Sequence, residues 1–182
     1  MRNRSPNIVN VADVEEKQWF SGSWGSYWKP LTPAPDRLPG RLGVNQNRLP
    51  PGHTTCPFHR HLREDEVFFV LSGRGVLRYG DALYDIGPGD CISCPAGTEA
   101  AHQIANPYDE DLVYLAIGPN DPHEVAVYPD TGKVLVRGLG RVGFLHEAEY
   151  LAGEPERPRI FELIAARDRD AAAPPSGSNS SG

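Results

Sequence analysis

Turn signals recur so closely along this chain that they leave little room for long regular elements. Pro39-Gly40, Pro51-Gly52, Gly73-Arg74-Gly75, Gly80-Asp81 and Gly87-Pro88-Gly89-Asp90 all read as turns, because glycine reaches positive φ freely and proline presets the first corner of a turn. The apolar runs between them are short and read as strands. They are expected at residues 41–49, 54–61, 66–72, 75–79, 82–86, 91–94, 101–106, 112–117 and 125–128, a spacing that argues an antiparallel barrel or sandwich. In the run Leu112-Val113-Tyr114-Leu115-Ala116-Ile117 alternate residues must line the interior, and the pattern alone leaves open which set does so.

A second feature points to chemistry. His59 and His61 are separated by one residue, Glu66 follows, and His102 comes later. In an extended strand residues i and i+2 share a face, so the two imidazoles lie side by side and Arg60 points the other way. A lone strand histidine usually faces solvent or is already satisfied. Three histidines with one carboxylate suit a divalent first-row metal, and they leave coordination positions open. Glu66 opens the apolar run Val67-Phe68-Phe69-Val70-Leu71, where a strand start fixes its direction. Its neighbours Glu64 and Asp65 read as a solvated turn.

The glycines, the proline and the asparagine around these residues sharpen the signal. Gly52, His59, His61, Glu66 and Gly73 form one cluster; Gly89, Pro95, Gly97, His102 and Asn106 form a second. Together they resemble the two motifs of the cupin superfamily, G(X)5HXH(X)3-4E(X)6G and G(X)5PXG(X)2H(X)3N. The spacing of Glu66 to Gly73 favours Glu66 over Glu64 and Asp65 as the motif carboxylate. Two spacings depart from the pattern: six residues separate Gly52 from His59 and four separate Gly97 from His102, both in expected loops. The resemblance implies an all-β double-stranded β-helix, or jelly-roll barrel, with N- and C-terminal extensions. It also implies one metal ion held by His59, His61, Glu66 and His102, with iron first and manganese, nickel, copper or zinc as alternatives.

Composition bounds this reading. With 182 residues and a net charge of −6, one domain is expected. The scattered Lys and Arg give no footprint for nucleic acid or an anionic membrane. No apolar run approaches a bilayer span, and the N-terminal residues lack an apolar signal region, so a cytoplasmic protein is expected. Cys56, Cys91 and Cys94 are too few for a disulfide scaffold. A strand puts Cys91 and Cys94 on opposite faces, which opposes joint chelation; Cys56, three residues before His59, is a candidate for the pocket mouth and is not assigned there. Residues 1–40 form an aromatic, loop-like arm carrying Trp19, Phe20, Trp24, Tyr27 and Trp28. Residues 41–130 form the barrel, 131–170 an extension with a short helix over 161–169, and 171–182 a disordered tail. His123 and His146 are expected at the surface.

The site supports three functional readings. The first is a mononuclear iron(II) dioxygenase-like oxidoreductase acting on a small organic molecule; the presence of Glu66 counts against a thiol substrate, because cupin thiol dioxygenases lack that carboxylate. The second is a metal-dependent isomerase or lyase acting on a sugar or sugar phosphate, which needs a pocket base and, for a phosphate, a cation such as Arg41, Arg48 or Arg78. The third is a small-ligand-binding cupin without turnover. Beyond the metal ligands no catalytic residue is assigned; Tyr114, Gln103 and Phe69 are pocket candidates. A homodimer through edge strands is the expected assembly.

Overall fold

The computed structural model of the protein describes residues 8–32 and 41–172. The turn expected at Pro39-Gly40 and positions 173–182 of the expected tail lie outside the described residues. Two compact units divide the chain, residues 1–145 and 146–182.

Strands build the first unit. β6 (Glu66–Ser72), β7 (Gly75–Tyr79), β8 (Ala82–Ile86), β9 (Cys91–Cys94) and β12 (Val125–Tyr128) begin and end where the turn residues place them. Gly73 shows why. Its φ is 76°, and a Cβ there would stand 2.1 Å from the Asp111 carbonyl oxygen, so a residue without a side chain is needed for β6 to turn into β7. β3 (Leu42–Leu49), β10 (His102–Asn106) and β11 (Leu112–Pro119) differ from expectation by one or two residues at an end.

Three segments differ more. The strand expected over 54–61 is broken into β4 (His53–Thr54) and β5 (Arg60–His61), with Pro57 between them; proline has no N–H to donate to a ladder. The break lets β4 pair with β10 in one sheet and β5 with β12 in another. The aromatic arm is not loop-like throughout: β1 (Lys17–Ser21) and β2 (Trp24–Pro30) form a hairpin, and β2 pairs with β3. After β12, the Asp130-Thr131-Gly132 turn returns the chain as β13 (Lys133–Val136), followed by β14 (Arg141–Phe144).

The larger sheet runs β8-β7-β10-β4-β2-β3-β11-β6-β9, with β1 on the far edge of the hairpin, and the smaller runs β14-β13-β12-β5. It curls as a jelly roll around a core of Leu49, Phe68, Val70, Leu77, Ile86, Ile92, Cys94, Ile104, Leu112 and Tyr114. Alternation decides which residues these are. In β6 Phe68 and Val70 point inward while Phe69 and Leu71 are exposed; in β11 Leu112 and Tyr114 point inward. Each fully buried aliphatic side chain contributes about 1.5–3 kcal/mol. Phe69, a pocket candidate from sequence, therefore lies on the outer surface.

In the second unit α1 (Ile160–Ala172) extends the expected helix and takes in the first two residues of the expected tail. No helix among the described residues is long and apolar enough to cross a membrane.

Candidate functional site

Backbone bonds between the two motif segments assemble the site. His59 and His102 form an isolated antiparallel bridge, with His59 N donating to His102 O at 3.1 Å and His102 N donating to His59 O at 2.8 Å. Gly97 N donates to His61 O at 2.9 Å and Ala96 N to Asp65 Oδ1 at 2.8 Å, so the Pro95-Ala96-Gly97 turn clasps the segment that carries His61 and Glu66. The buried Asn106 side chain donates to Leu49 O and Glu110 O, and Gly52 N donates to Asn106 O. The glycines, Pro95 and Asn106 are thus positioning residues. Four chemistry-bearing side chains remain.

All four converge. The Nε2 atoms of His102, His61 and His59 lie 2.9, 3.2 and 3.8 Å from Glu66 Oε2, and one ligand atom from each of the four residues falls within 4.8 Å of every other. His59 Nδ1 lies 2.8 Å from the Pro57 carbonyl. A carbonyl only accepts, so that nitrogen carries the proton and Nε2 presents its lone pair to the cluster. Tyr128 stacks beside His59, with centroids 6.0 Å apart. Among the described residues neither buried ring nitrogen of His61 has a well-aligned hydrogen-bond partner, although Glu66 Oε2 stands 3.2 Å from Nε2 and Glu124 Oε1 3.3 Å from Nδ1. Buried polar atoms are rarely left so, and a metal ion at the convergence point would satisfy Nε2. The donor set, imidazole nitrogen with one carboxylate, fits such an ion.

The charges respond to this crowding. Burial raises the Glu66 carboxyl, but hydrogen bonding and charge from His102 and His61 outweigh it and hold it well below the usual carboxylate range. Burial and the neighbouring His102 and His61 lower His59 to about 4. Burial also works against charge on His61, yet Glu66, Glu124 and Glu64 together raise it.

Glu64 and Glu124 were not foreseen as part of the site. Glu64, expected in a solvated turn, is buried and forms a two-armed ion pair with Arg137, with Arg137 Nη2 donating to Oε2 at 2.8 Å and Arg137 Nη1 to Oε1; Asp121 N also donates to Oε1, at 2.5 Å. Glu124 is fully buried. It accepts from Leu62 N and Arg63 N at 3.0 Å each, and its Oε1 stands 3.3 Å from His61 Nδ1. Glu64, Glu124 and His61 also form a group able to approach a cation.

A cavity of about 120 Å³ opens beside the cluster, walled by Asn47, Thr55, Cys56, Phe68, Ile104 and Tyr114 among others. At roughly 30 Å³ per water, it holds a few small groups. Cys56 does line this cavity, but burial and the charge of Glu66 push its thiol up to about 12. Burial likewise raises the Tyr114 hydroxyl, which shares a 2.6 Å hydrogen bond with Thr55 Oγ1. Gln103 donates to Cys56 O rather than to the cavity. Arg48 stacks on Tyr27 and pairs with Glu16 and Asp111, and Arg78 pairs with Asp130 over Phe58; neither lines the cavity. Cys91 is exposed and Cys94 buried, so the two do not chelate together; His123 and His146 are exposed.

A family model described as Cupin domain matches residues 47–118. Auxin-binding protein 1 of Arabidopsis thaliana is 30% identical over 142 residues, covering 70% of this chain and 66% of that protein. The oxalate-binding protein of Thermotoga maritima is 33% identical over 70 residues, 38% of this chain and 55% of that protein. The chain therefore spans about two thirds of the first relative and just over half of the second. A crystal structure of a sugar phosphate isomerase from Silicibacter pomeroyi superposes with a TM-score of 0.66 at 26% identity, covering 82% of this chain and 96% of that one. Motifs, fold and these likenesses agree: the chain belongs to the cupin superfamily.

Proposed function

We propose that this cupin is a mononuclear metal-dependent oxidoreductase, dioxygenase-like in kind, acting on a small organic molecule. His59, His61, Glu66 and His102 hold one divalent transition metal, iron first and manganese, nickel, copper or zinc after it. Bound there, iron(II) supplies redox chemistry and open coordination positions for the reactants. The chain's own residues do the rest. Phe68, Ile104 and Ala116 keep one wall of the cavity dry, while the Thr55 and Tyr114 hydroxyls offer hydrogen bonds to a ligand. Glu66 and the three imidazoles stay as ligands and shuttle no protons.

One observation carries this reading over the others. Among the described residues, the titratable side chains on the cavity wall apart from the ligand set are a thiol and a phenol, Cys56 and Tyr114, both raised by burial, and no free carboxylate or imidazole stands there as a ready general base for proton abstraction. A sugar-directed isomerase or lyase is the second reading, favoured by the likeness to the Silicibacter pomeroyi isomerase. Oxygen uptake with anaerobically loaded Fe(II) across a panel of small organic substrates tests the first against the second. Iron-dependent uptake supports oxidation; conversion under strict anaerobiosis with Mn(II) or Zn(II) overturns it. Binding without turnover in either assay leaves the non-catalytic reading, which the names of the two curated relatives favour. A homodimer through an exposed edge strand belongs to the same proposal, and light scattering on the eluted protein tests it.

A further inference from the structure

The inner face of the β1–β2 hairpin and of β3 carries a row of polar groups that the metal cluster does not use. Trp28 pairs in register with Asn47, and Asn47 with Tyr114; one step along, Pro30 pairs with Asn45, and Asn45 with Ala116. Trp19 lies opposite Ser26 in the hairpin. Gly25 makes this approach possible, since its φ is 125° and a Cβ there would lie 2.0 Å from the Trp19 carbonyl oxygen. Trp19, Ser26, Trp28, Asn45, Asn47 and Thr55 wall a second cavity of about 410 Å³. Asn47 and Thr55 also wall the cavity of about 120 Å³ beside the cluster, so the two share a boundary.

Asn47 is 7% exposed and Ser26 4% exposed, yet neither side chain has a hydrogen-bond partner among the described residues, and nor does that of Asn45. Their polar atoms reach the cavity instead of being sealed among protein atoms, so this row can both donate to and accept from a ligand placed there. Charge narrows the ligand. Among the described residues, no Lys or Arg lines either cavity, nor a third of about 230 Å³ that Asn45 and Glu66 also line. A phosphate held in the cavity of about 410 Å³ would find no charged side chain on its walls to pair with. The indole of Trp19 is 56% exposed at the mouth, an apolar plate suited to a ring's C–H face.

We infer that this groove binds an uncharged monosaccharide, its hydroxyls taken by Asn45, Asn47 and Ser26 and its ring laid against Trp19 and Trp28. This deepens the metalloenzyme reading by naming its substrate class, and rests on it only where the sugar's far hydroxyls reach the cluster. The groove itself needs no metal.

The test is titration of the full chain, followed by tryptophan fluorescence and calorimetry, with D-glucose, D-galactose, D-mannose, D-fructose and D-xylose beside D-glucose 6-phosphate and D-fructose 6-phosphate. At least one neutral sugar is expected to bind, and each phosphate at least about tenfold more weakly than its parent. Asn47→Leu and the exposed Trp19→Ala are each expected to weaken binding roughly tenfold; the second carries little risk to folding. No binding of any neutral sugar up to about 50 mM, tighter binding of the phosphates, or indifference to Trp19→Ala would overturn the inference. Metal content is measured on the same samples. Sugar binding that depends on Trp19 in protein that takes up no metal overturns the metalloenzyme reading alone, whereas metal-loaded protein that binds no sugar overturns this inference alone.

Discussion

Two acidic clusters share His61, and they differ in what their oxygens already hold. Glu66 points Oε2 at three imidazole nitrogens. Behind it, every oxygen of Glu64 and Glu124 is taken by Leu62 N, Arg63 N, Asp121 N or the Arg137 guanidinium. The first gathers a single carboxylate against three imidazoles, whereas in the second every carboxylate oxygen already accepts a hydrogen bond from the protein. The second is scaffold: it ties the 62–64 turn to the 121–124 turn and stands beside Nδ1 of His61 from behind. Outer carboxylates of this kind fix ring orientation and raise a ligand's basicity. The difference teaches that a cluster is recognised as a site by its unmet valences rather than by its composition.

The comparison breaks most visibly at Arg137. Arg137→Ala leaves Glu64 buried without its counter-charge. Removing one partner of a fully buried pair costs 3–5 kcal/mol; with the Arg137 side chain a third exposed, we expect about 2 kcal/mol, read as a lowered melting temperature or denaturation midpoint, in metal-free protein as well as loaded. Unchanged stability would remove the scaffold assignment. Glu124→Gln sharpens the contrast. It keeps the shape, removes the charge beside His61 Nδ1, and is expected to weaken metal affinity by roughly tenfold or more while Zn(II) titration still reaches one site. Equal affinity would mean the outer carboxylate does not act on His61.

Acidity tests the same pair of clusters more gently. His61 is raised above the ordinary histidine value, so in metal-free protein it holds a proton at and somewhat above that range, whereas His59 at about 4 is already neutral. Metal must displace the His61 proton, so affinity should climb with pH by up to about tenfold per unit while His61 is protonated, then level off above its pKa. A flat profile between pH 5 and 8, on a scale of about one unit per proton, would contradict the site. The smallest effect belongs to the rim. Glu99 is 89% exposed and pairs with Arg60, and Glu99→Gln should change stability by less than about 0.5 kcal/mol and metal affinity not at all.

Much of the barrel and the four members of the candidate metal cluster were legible because turns and short-range spacing write them. Gly73, Gly80 and Gly89 punctuate β6 to β9, and His59, His61, Glu66 and His102 keep fixed intervals within two motifs. Glu64, Glu124 and Arg137 were not, for a physical reason: charged residues default to the surface, and the bonds that bury them cross 61 and 73 residues of chain, a distance no local pattern spans. Asn45 and Asn47 escaped likewise, since strand alternation places them on one face without saying that face looks inward. The β1–β2 hairpin did leave a signal, the Gly22-Ser23 pair between alternating aromatics, which is a two-residue hairpin connection.

Metal stoichiometry tests the central claim most directly. Protein of this sequence purified without chelator, then reconstituted anaerobically and analysed by inductively coupled plasma mass spectrometry, should carry about one divalent transition metal per chain, and His59→Ala and His102→Ala should each lose it while keeping the wild-type circular dichroism spectrum. Wild-type protein that takes up none, or variants that retain it, would contradict the account.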